Sequence, residues 1–83
     1  MQDIHVYSKS YCPFCKRAIE LLKIKGVNFT LIDISEDNSL EEEMRHRSGR
    51  ATVPQIFIGR FHIGGCDDLF ALDEQGGLDP LLA

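Results

Sequence analysis

Hydrophobic positions along the chain form short segments that alternate between a strand-like and a helix-like spacing. The strand-like segments, rich in β-branched and aromatic residues, are 4–8, 27–34, 53–58 and 61–63. Between the first three segments, and again after the last, apolar residues recur every three or four positions, as on one face of a helix. The predicted order is therefore β-α-β-α-β-β-α.

Local signals mark the ends of the predicted helices. Pro13 suits the first position of a helix, where its missing N–H is not needed, and Gly26 is expected to end that helix. Ser39 followed three residues later by Glu42 has the pattern of a capping box and predicts the start of the second helix. Asp67 is expected to open the third helix, and Asp79-Pro80 could cap one last turn.

The strand patterns predict a mixed sheet. Leu31, Ile32 and Ile34 place apolar groups on both faces of the second strand, as expected for a strand that is covered on both sides. A helix lies between the first and second strands, so these are expected to pair in parallel as a βαβ unit. Gly59-Arg60 is a plausible two-residue turn, which predicts an antiparallel hairpin of the third and fourth strands.

Composition and charge exclude several classes of protein. A chain of 83 residues with 43% hydrophobic and 27% charged residues predicts one small domain over 1–83, not a disordered tail or a coiled coil. A formal net charge of −4 disfavours nucleic acid or an anionic membrane as a partner. No apolar run approaches the roughly 20 residues that span a bilayer. Asp3 and His5 lie where a signal peptide would need an apolar core, so we expect a cytoplasmic protein. We also expect it to be a monomer.

Cys12-Pro13-Phe14-Cys15 carries the clearest chemical signal. It follows a predicted strand and opens a predicted helix, the setting in which two cysteines at this spacing form a redox pair. Cys12 falls at the amino end of the helix, where free N–H groups and the helix dipole favour a thiolate. Lys9 can add a positive charge, and Cys15 lies near enough to attack a mixed disulfide on Cys12. Two buried apolar cysteines and a metal site are the alternatives that the spacing leaves open.

Two further motifs lie in the second half of the chain. Thr52-Val53-Pro54 opens the third strand, and Pro54 must lie at the start or edge of that strand because it cannot donate a ladder hydrogen bond. The segment 64–68 (Gly-Gly-Cys-Asp-Asp) precedes a helix, and its glycines can expose backbone N–H groups to an anion. An ordinary glycine turn with an aspartate as the helix cap explains the same residues without a ligand.

The remaining cysteine and the histidines give weaker signals. The odd cysteine, Cys66, is expected to be structural, with its backbone N–H mattering more than its sulfur. His5, His46 and His62 share no metal-ligand spacing with the cysteine pair, and His5 and His62 are expected to be exposed. No metal site is therefore predicted.

Taken together, the motifs resemble the glutaredoxin family, and within it the small bacterial dithiol type. The matching stretches cover essentially the whole chain and are VYSKSYCPFCKRA, SGRATVPQIFI, HIGGCDDLFALD and GGLDPLL. The resemblance implies an α/β thioredoxin fold, with a four-stranded mixed sheet flanked by helices. It also implies a cis peptide bond before Pro54 and reduction of protein disulfides and protein–glutathione mixed disulfides, with glutathione as the electron donor.

The same resemblance implies roles for the cysteine pair. Cys12 matches the nucleophile that takes up glutathione. Cys15 matches the resolving thiol, which is needed for reduction of protein dithiols but not for deglutathionylation. Phe14 stands where a tyrosine is commoner in the family, so the ring can still wall the groove but the phenolic hydroxyl is lost.

It also implies a set of glutathione-binding residues. Thr52, Val53 and Pro54 resemble the loop that lines the glutathione groove, with the Val53 backbone pairing with the cysteine of the tripeptide. The segment that holds the γ-glutamyl end is represented by Gly65, Cys66 and Asp67. Lys9 is a candidate partner for the glycine carboxylate. Because the protein is net acidic, the field that attracts this anion must be local, and Arg45 or Arg50 could add to it.

Two other functions compete with this interpretation. An iron–sulfur carrier could hold a [2Fe–2S] cluster with Cys12 from two chains and two glutathione thiols, although Pro13 and Cys15 argue against it. A thioredoxin-like reductase could take electrons from a reductase enzyme, although the motif lacks the Trp-Cys-Gly-Pro-Cys character of thioredoxins and the chain has no tryptophan.

Overall fold

The computed structural model describes residues 3–83 and contains one mixed sheet with helices on both sides. Its strands are β1 (Ile4–Ser8), β2 (Thr30–Asp33), β3 (Gln55–Ile58) and β4 (Phe61–Gly64). Its helices are α1 (Pro13–Ile24), α2 (Asn38–Ser48), α3 (Cys66–Glu74) and α4 (Leu78–Leu82). Met1 and Gln2, on which the signal-peptide expectation partly rests, lie outside the described residues. Within residues 3–83, no helix combines the length and hydropathy needed to cross a bilayer.

The strands lie in the order β2-β1-β3-β4. β1 pairs in parallel with β2 and antiparallel with β3, and β3 forms an antiparallel hairpin with β4. This is the thioredoxin-like arrangement, so the predicted fold class is confirmed. The predicted element order is also confirmed, with the short helix α4 added at the end of the chain.

Two layers of apolar side chains enclose the central strands β1 and β3. On one face, α1, α3 and α4 pack on a cluster of buried residues, which includes Val6, Leu22, Ile56, Leu69 and Leu78. On the other face, α2 packs through Met44 on a smaller cluster with Tyr7, Ile34 and Phe57. The antiparallel register sets Tyr7 opposite Gln55, so the carboxyl end of β1 lies beside the amino end of β3. The segment that leads to Cys12 and the loop that contains Pro54 both leave the sheet there.

The prediction for the second strand is wrong in its length and its burial. β2 spans Thr30–Asp33 and not 27–34, and its side chains are mostly exposed, with half of the Leu31 surface open to solvent. The reason is its position at the edge of the sheet, where only β1 pairs with it. Ile34, just beyond the strand, is the residue that is buried.

The cap of the second helix also differs from the prediction. Asp37 is the N-cap of α2, and its carboxylate accepts hydrogen bonds from the backbone N–H groups of Ser39 and Leu40 at 3.0 and 3.2 Å. Ser39 therefore lies inside the first turn and donates its hydroxyl to Asp37 instead of capping the helix. Gly49 ends α2 in the left-handed conformation.

Three smaller boundaries shift as well. β3 begins at Gln55 and not at residue 53, because Thr52 and Val53 form a bend before the strand. α3 begins at Cys66, one residue before the predicted Asp67, with Gly65 as its N-cap. Asp79 lies within the first turn of α4 instead of capping it.

Candidate active site

The cysteine pair lies where α1 begins. Cys12 is the N-cap of the helix and Pro13 occupies its first turn, as the sequence predicts. The backbone N–H of Cys15 donates a hydrogen bond to the Cys12 sulfur at 3.2 Å. The Cys12 thiol in turn points at the carbonyl oxygen of Val53, 3.8 Å away. A helix N-terminus that directs an N–H at a sulfur atom stabilises negative charge on that sulfur.

The two thiols differ in their surroundings. Cys12 is 8% exposed and Cys15 is 1% exposed. Burial, followed by the hydrogen bond with Cys12, raises the pKa of Cys15 to about 12. Cys15 is therefore a neutral thiol at pH 7, and Cys12 is the sulfur nearer to solvent.

The Thr-Val-Pro loop lies against the Cys12 sulfur. The Val53–Pro54 peptide bond is cis, as the family resemblance implies. Pro54 is buried, Val53 is half-buried and Thr52 is exposed. The loop thus forms one wall beside Cys12, and its first residue, Thr52, is open to solvent.

The segment Gly65–Asp67 forms the neighbouring wall. A β-carbon at Gly65 would lie 3.5 Å from the carbonyl oxygen of Pro54, which places the two loops side by side. Cys66 is buried, and burial raises the pKa of its thiol. Asp67 is exposed and, among the residues that the structure describes, its carboxylate has no hydrogen-bond partner.

Asp68, which the predicted site did not include, fixes this second wall. Its carboxylate accepts the backbone N–H of Gly65 at 2.9 Å and pairs with Arg50 at 2.9 Å. Of the two arginines suggested from the sequence, Arg50 is thus the one beside the predicted site, whereas Arg45 pairs with Glu41 on α2. The signal in the sequence is an aspartate three residues after the N-cap glycine, a position from which a carboxylate can reach back to the cap.

The charge of Asp68 should make part of the stability depend on pH. The Gly65 N–H, followed by Arg50, lowers the pKa of this carboxyl, so the stabilisation is present above its unfolded pKa and is lost as pH falls through the folded pKa. Asp68→Asn should lower the free energy of unfolding at pH 7 by at most about 1 kcal/mol, because the pair is half exposed. The difference from wild type should shrink as pH falls below about 3.9, the ordinary aspartate pKa, and should vanish only below the folded pKa, as urea unfolding at pH 7 and at a series of acidic pH values would show. Asp67→Asn is the matched control with a smaller effect, and a pH-independent difference for Asp68→Asn would contradict the assignment.

Lys9 and Phe14 flank the cysteine pair. The backbone carbonyl of Lys9 accepts the N–H of Cys12 at 3.3 Å, and the Lys9 side chain makes no ion pair within residues 3–83. Phe14 is 54% exposed. With Gly65 and the three residues that follow it, Phe14 lines a small open cavity of about 170 Å³. This cavity joins Phe14 to the segment that starts at Gly65, and the Thr52–Pro54 loop lies between that segment and the Cys12 sulfur.

Larger cavities exist elsewhere on the described surface. One of about 450 Å³ is bordered by acidic and hydroxyl side chains, among them Asp33, Glu36 and Ser35. Another, of about 320 Å³, lies between β4, α3 and α4. Neither is lined by a cysteine. Across residues 3–83, no three His, Cys, Asp or Glu side chains are grouped so that they could hold a metal ion.

Two residues beside the Thr52–Pro54 loop were not predicted to belong to the site. Gln55 is fully buried and hydrogen bonds to Thr52, and His62 is half-buried and bonds to Gln55. His62 was expected to be exposed, as was His5, which is also half-buried. Burial and the nearby Arg50 charge lower the pKa of His62. The one available signal was a glutamine within the otherwise apolar strand segment, since a buried amide must find hydrogen-bond partners.

A thioredoxin-like sheet that sets two cysteines at a helix N-terminus against a cis-proline loop defines a thiol–disulfide oxidoreductase. The sequence profile described as Glutaredoxin matches residues 4–63, and the chain belongs to the glutaredoxin family. It is therefore a glutathione-dependent oxidoreductase, as the motifs predict.

Individual relatives agree with the family assignment. Glutaredoxin 3 of Escherichia coli (strain K12) is 57% identical over 82 residues, which cover 99% of this chain and 99% of that protein. The solution structure of glutaredoxin from Brucella melitensis has a TM-score of 0.87 at 54% identity and covers 99% of this chain and 89% of its own. A buckwheat glutaredoxin–glutathione complex has a TM-score of 0.90 at 32% identity, over 98% of this chain and 76% of that one.

Proposed function

We propose that Cys12 is the nucleophile of the reaction and Cys15 the resolving thiol. The observation that carries this proposal is the hydrogen bond from the Cys15 N–H to the Cys12 sulfur at 3.2 Å, at the start of a helix. The Cys15 thiol is buried and its pKa is raised to about 12, so Cys15 is protonated at pH 7 and is poorly suited to make the first attack. Cys12 is also the less buried of the two residues.

With a protein–glutathione mixed disulfide, the Cys12 thiolate attacks the sulfur of the glutathionyl group. A disulfide forms between Cys12 and glutathione, and the client sulfur leaves as a thiolate that takes up a proton. A second glutathione, as its thiolate, attacks the glutathionyl sulfur, which yields glutathione disulfide and regenerates the Cys12 thiolate. In total one glutathione thiol is oxidised and the client sulfur is reduced to a thiol, while the transferred glutathionyl group becomes the other half of the glutathione disulfide. The Cys15 thiol takes no part.

With a protein disulfide, the first attack joins Cys12 to one client sulfur and releases the other. Cys15 loses its proton, attacks the Cys12 sulfur and releases the reduced client. The resulting Cys12–Cys15 disulfide is then reduced by two glutathione molecules through a mixed disulfide on Cys12. The high pKa of Cys15 suits this order, because the resolving thiol stays protonated until the mixed disulfide has formed.

We further propose that glutathione lies in the groove between the two walls beside Cys12. The Thr52–Pro54 loop offers exposed backbone to the cysteine residue of the tripeptide. The first turn of α3, with Gly65, Cys66 and the free carboxylate of Asp67, is suited to the γ-glutamyl end, whose amine Asp67 can pair with. Phe14 walls the groove, and Lys9 is the candidate partner for the glycine carboxylate. The glutathione of the buckwheat complex supports this assignment by family likeness.

We also propose a compartment, an oligomeric state and a class of partner for the enzyme. Three cysteines in a family that depends on glutathione suit a reducing compartment, so we propose a cytoplasmic enzyme. The apolar clusters on both faces of one sheet support a single domain over 1–83 that acts as a monomer on disulfide-containing or glutathionylated client proteins. We propose that it needs no metal, no nucleic acid and no membrane.

Comparison of two electron donors tests the proposed function. Turnover on a glutathionylated peptide should require glutathione coupled to glutathione reductase and should not be supported by a thioredoxin reductase. The opposite donor preference would favour the thioredoxin-like alternative. Protein purified without oxygen should lack visible absorbance, and it should still lack it after reconstitution with iron and sulfide. An absorbance band above 400 nm in either sample would favour the cluster carrier.

A further inference from the structure

Gln55 is a fully buried polar residue at the start of a strand whose other members are apolar. Its side-chain amide nitrogen donates to the carbonyl oxygen of Thr52 at 3.0 Å and to the Thr52 hydroxyl oxygen at 3.3 Å. Its amide oxygen lies 2.7 Å from Nε2 of His62. The amide therefore joins the loop before Pro54 to strand β4.

The orientation of this amide follows from its partners. The Thr52 carbonyl oxygen can only accept, so the nitrogen of Gln55 must face it. The amide oxygen then accepts, and Nε2 of His62 must carry the hydrogen. Every polar atom of the Gln55 side chain is used, which is what a buried amide needs.

His62 is itself held in place. Its ring stacks on Phe57, with centroids 4.9 Å apart and the planes inclined by 29°. The Arg47 guanidinium lies 4.0 Å from the centroid of the same Phe57 ring. The amide oxygen of Gln55 is thus held by a histidine ring that is itself packed in place. The amide nitrogen can therefore restrain Thr52, which is exposed to solvent.

The restrained residue directly precedes Val53, whose backbone faces the reactive sulfur. Thr52 is exposed, whereas the next residue places its carbonyl oxygen 3.8 Å from the Cys12 sulfur. Gln55 itself is not among the groups that contact Cys12. Its amide can therefore affect how the loop receives a ligand without touching the reacting atoms.

We propose that Gln55, anchored by His62, is a positioning residue that holds the Thr52–Pro54 loop ready for the glutathionyl part of the substrate. The proposal rests on the function proposed above, because it assumes that glutathione binds along this loop. The Gln55 amide would thus contribute to the affinity for glutathione without contacting it. Preorganisation of this kind raises affinity because the loop loses less freedom on binding.

Gln55→Met tests the proposal, because methionine keeps the length of the side chain and removes the amide. We expect KM for a glutathionylated peptide to rise roughly five- to tenfold, the weight of one or two ordinary hydrogen bonds, with kcat changed by less than about twofold. The rate at which iodoacetamide alkylates Cys12 should stay the same, since this small reagent does not use the groove. Gln75→Met, the same change at an exposed glutamine, is the control with wild-type kinetics.

His62→Phe is the second variant, which keeps a ring on Phe57 and removes the N–H that anchors Gln55. It should raise KM about two- to threefold, and it decides the question alone if Gln55→Met does not fold. An unchanged KM in the folded variants would overturn the proposal, and so would a loss of kcat together with slower alkylation, which indicates general damage to the site. Failure of the wild-type enzyme to turn over the glutathionylated peptide would instead count against the proposed function.

Discussion

Replacing Cys12 with serine is expected to reduce the rate of deglutathionylation by roughly a thousandfold or more, because it removes the nucleophile itself. Cys15→Ser is expected to retain most of that activity, since glutathione in solution supplies the second attack. The same Cys15→Ser variant should lose reduction of a protein disulfide, which needs the resolving thiol. A glutathione-coupled assay with a glutathionylated peptide and with a disulfide-containing protein measures both activities.

The two variants control for each other. Both replace sulfur by oxygen within the first turn of one helix, so they share the same local change. Substantial deglutathionylation by Cys12→Ser, or its loss in Cys15→Ser with the fold intact, would mean that the roles have been assigned to the wrong cysteines.

Gly64→Ala is expected to lower the free energy of unfolding by about 3 kcal/mol. Gly64 has φ of +114°, which L side chains rarely adopt, and a β-carbon there would lie 2.3 Å from a carboxylate oxygen of Asp68. Either the strand end or the carboxylate must move, and the carboxylate is the group that caps Gly65. The change should therefore also disturb one wall of the proposed groove. Urea unfolding measures the loss.

Gly49→Ala is the matched control. Gly49 also has a positive φ, +72°, but a β-carbon there would meet no atom within 4 Å. Gly49→Ala should lower the free energy of unfolding by about 1 kcal/mol, which is the strain of the left-handed conformation alone. Equal losses in the two variants would contradict the steric argument. In an Asp68→Ala background, Gly64→Ala should cost less than in the wild type, since part of the clash is removed.

Some signals that act within a few residues gave correct predictions. Pro13 and Gly26 bound the first helix because a missing N–H and a left-handed conformation are local properties. Cys12 and Cys15 could be assigned as a pair for the same reason, because one helical turn sets their separation. The cis bond before Pro54 came only from the family resemblance, since the local sequence permits either isomer.

The sequence did not predict features that depend on where an element lies in the fold, or on which of two neighbouring residues caps a helix. The apolar residues of 27–34 suggest a covered strand, yet β2 is at an edge, and strand order is a property of the whole sheet. Asp37 and Ser39 are both good helix caps, and the sequence does not show which one the chain uses. Gln55 and His62 meet across the β3–β4 hairpin, so their partnership appears only once the register is known.

The most direct test of the account is to locate the glutathionyl group on the enzyme. Cys15→Ser treated with an excess of glutathione disulfide should trap the intermediate, because the variant cannot form the Cys12–Cys15 disulfide and little free glutathione is present to release the glutathionyl group. Tandem mass spectrometry of the digested protein should then find one glutathionyl group, on Cys12, and none on Cys66. Modification of Cys66 in its place, or an enzyme that turns over while Cys12 stays unmodified, would contradict the central role given to the sulfur at the start of α1.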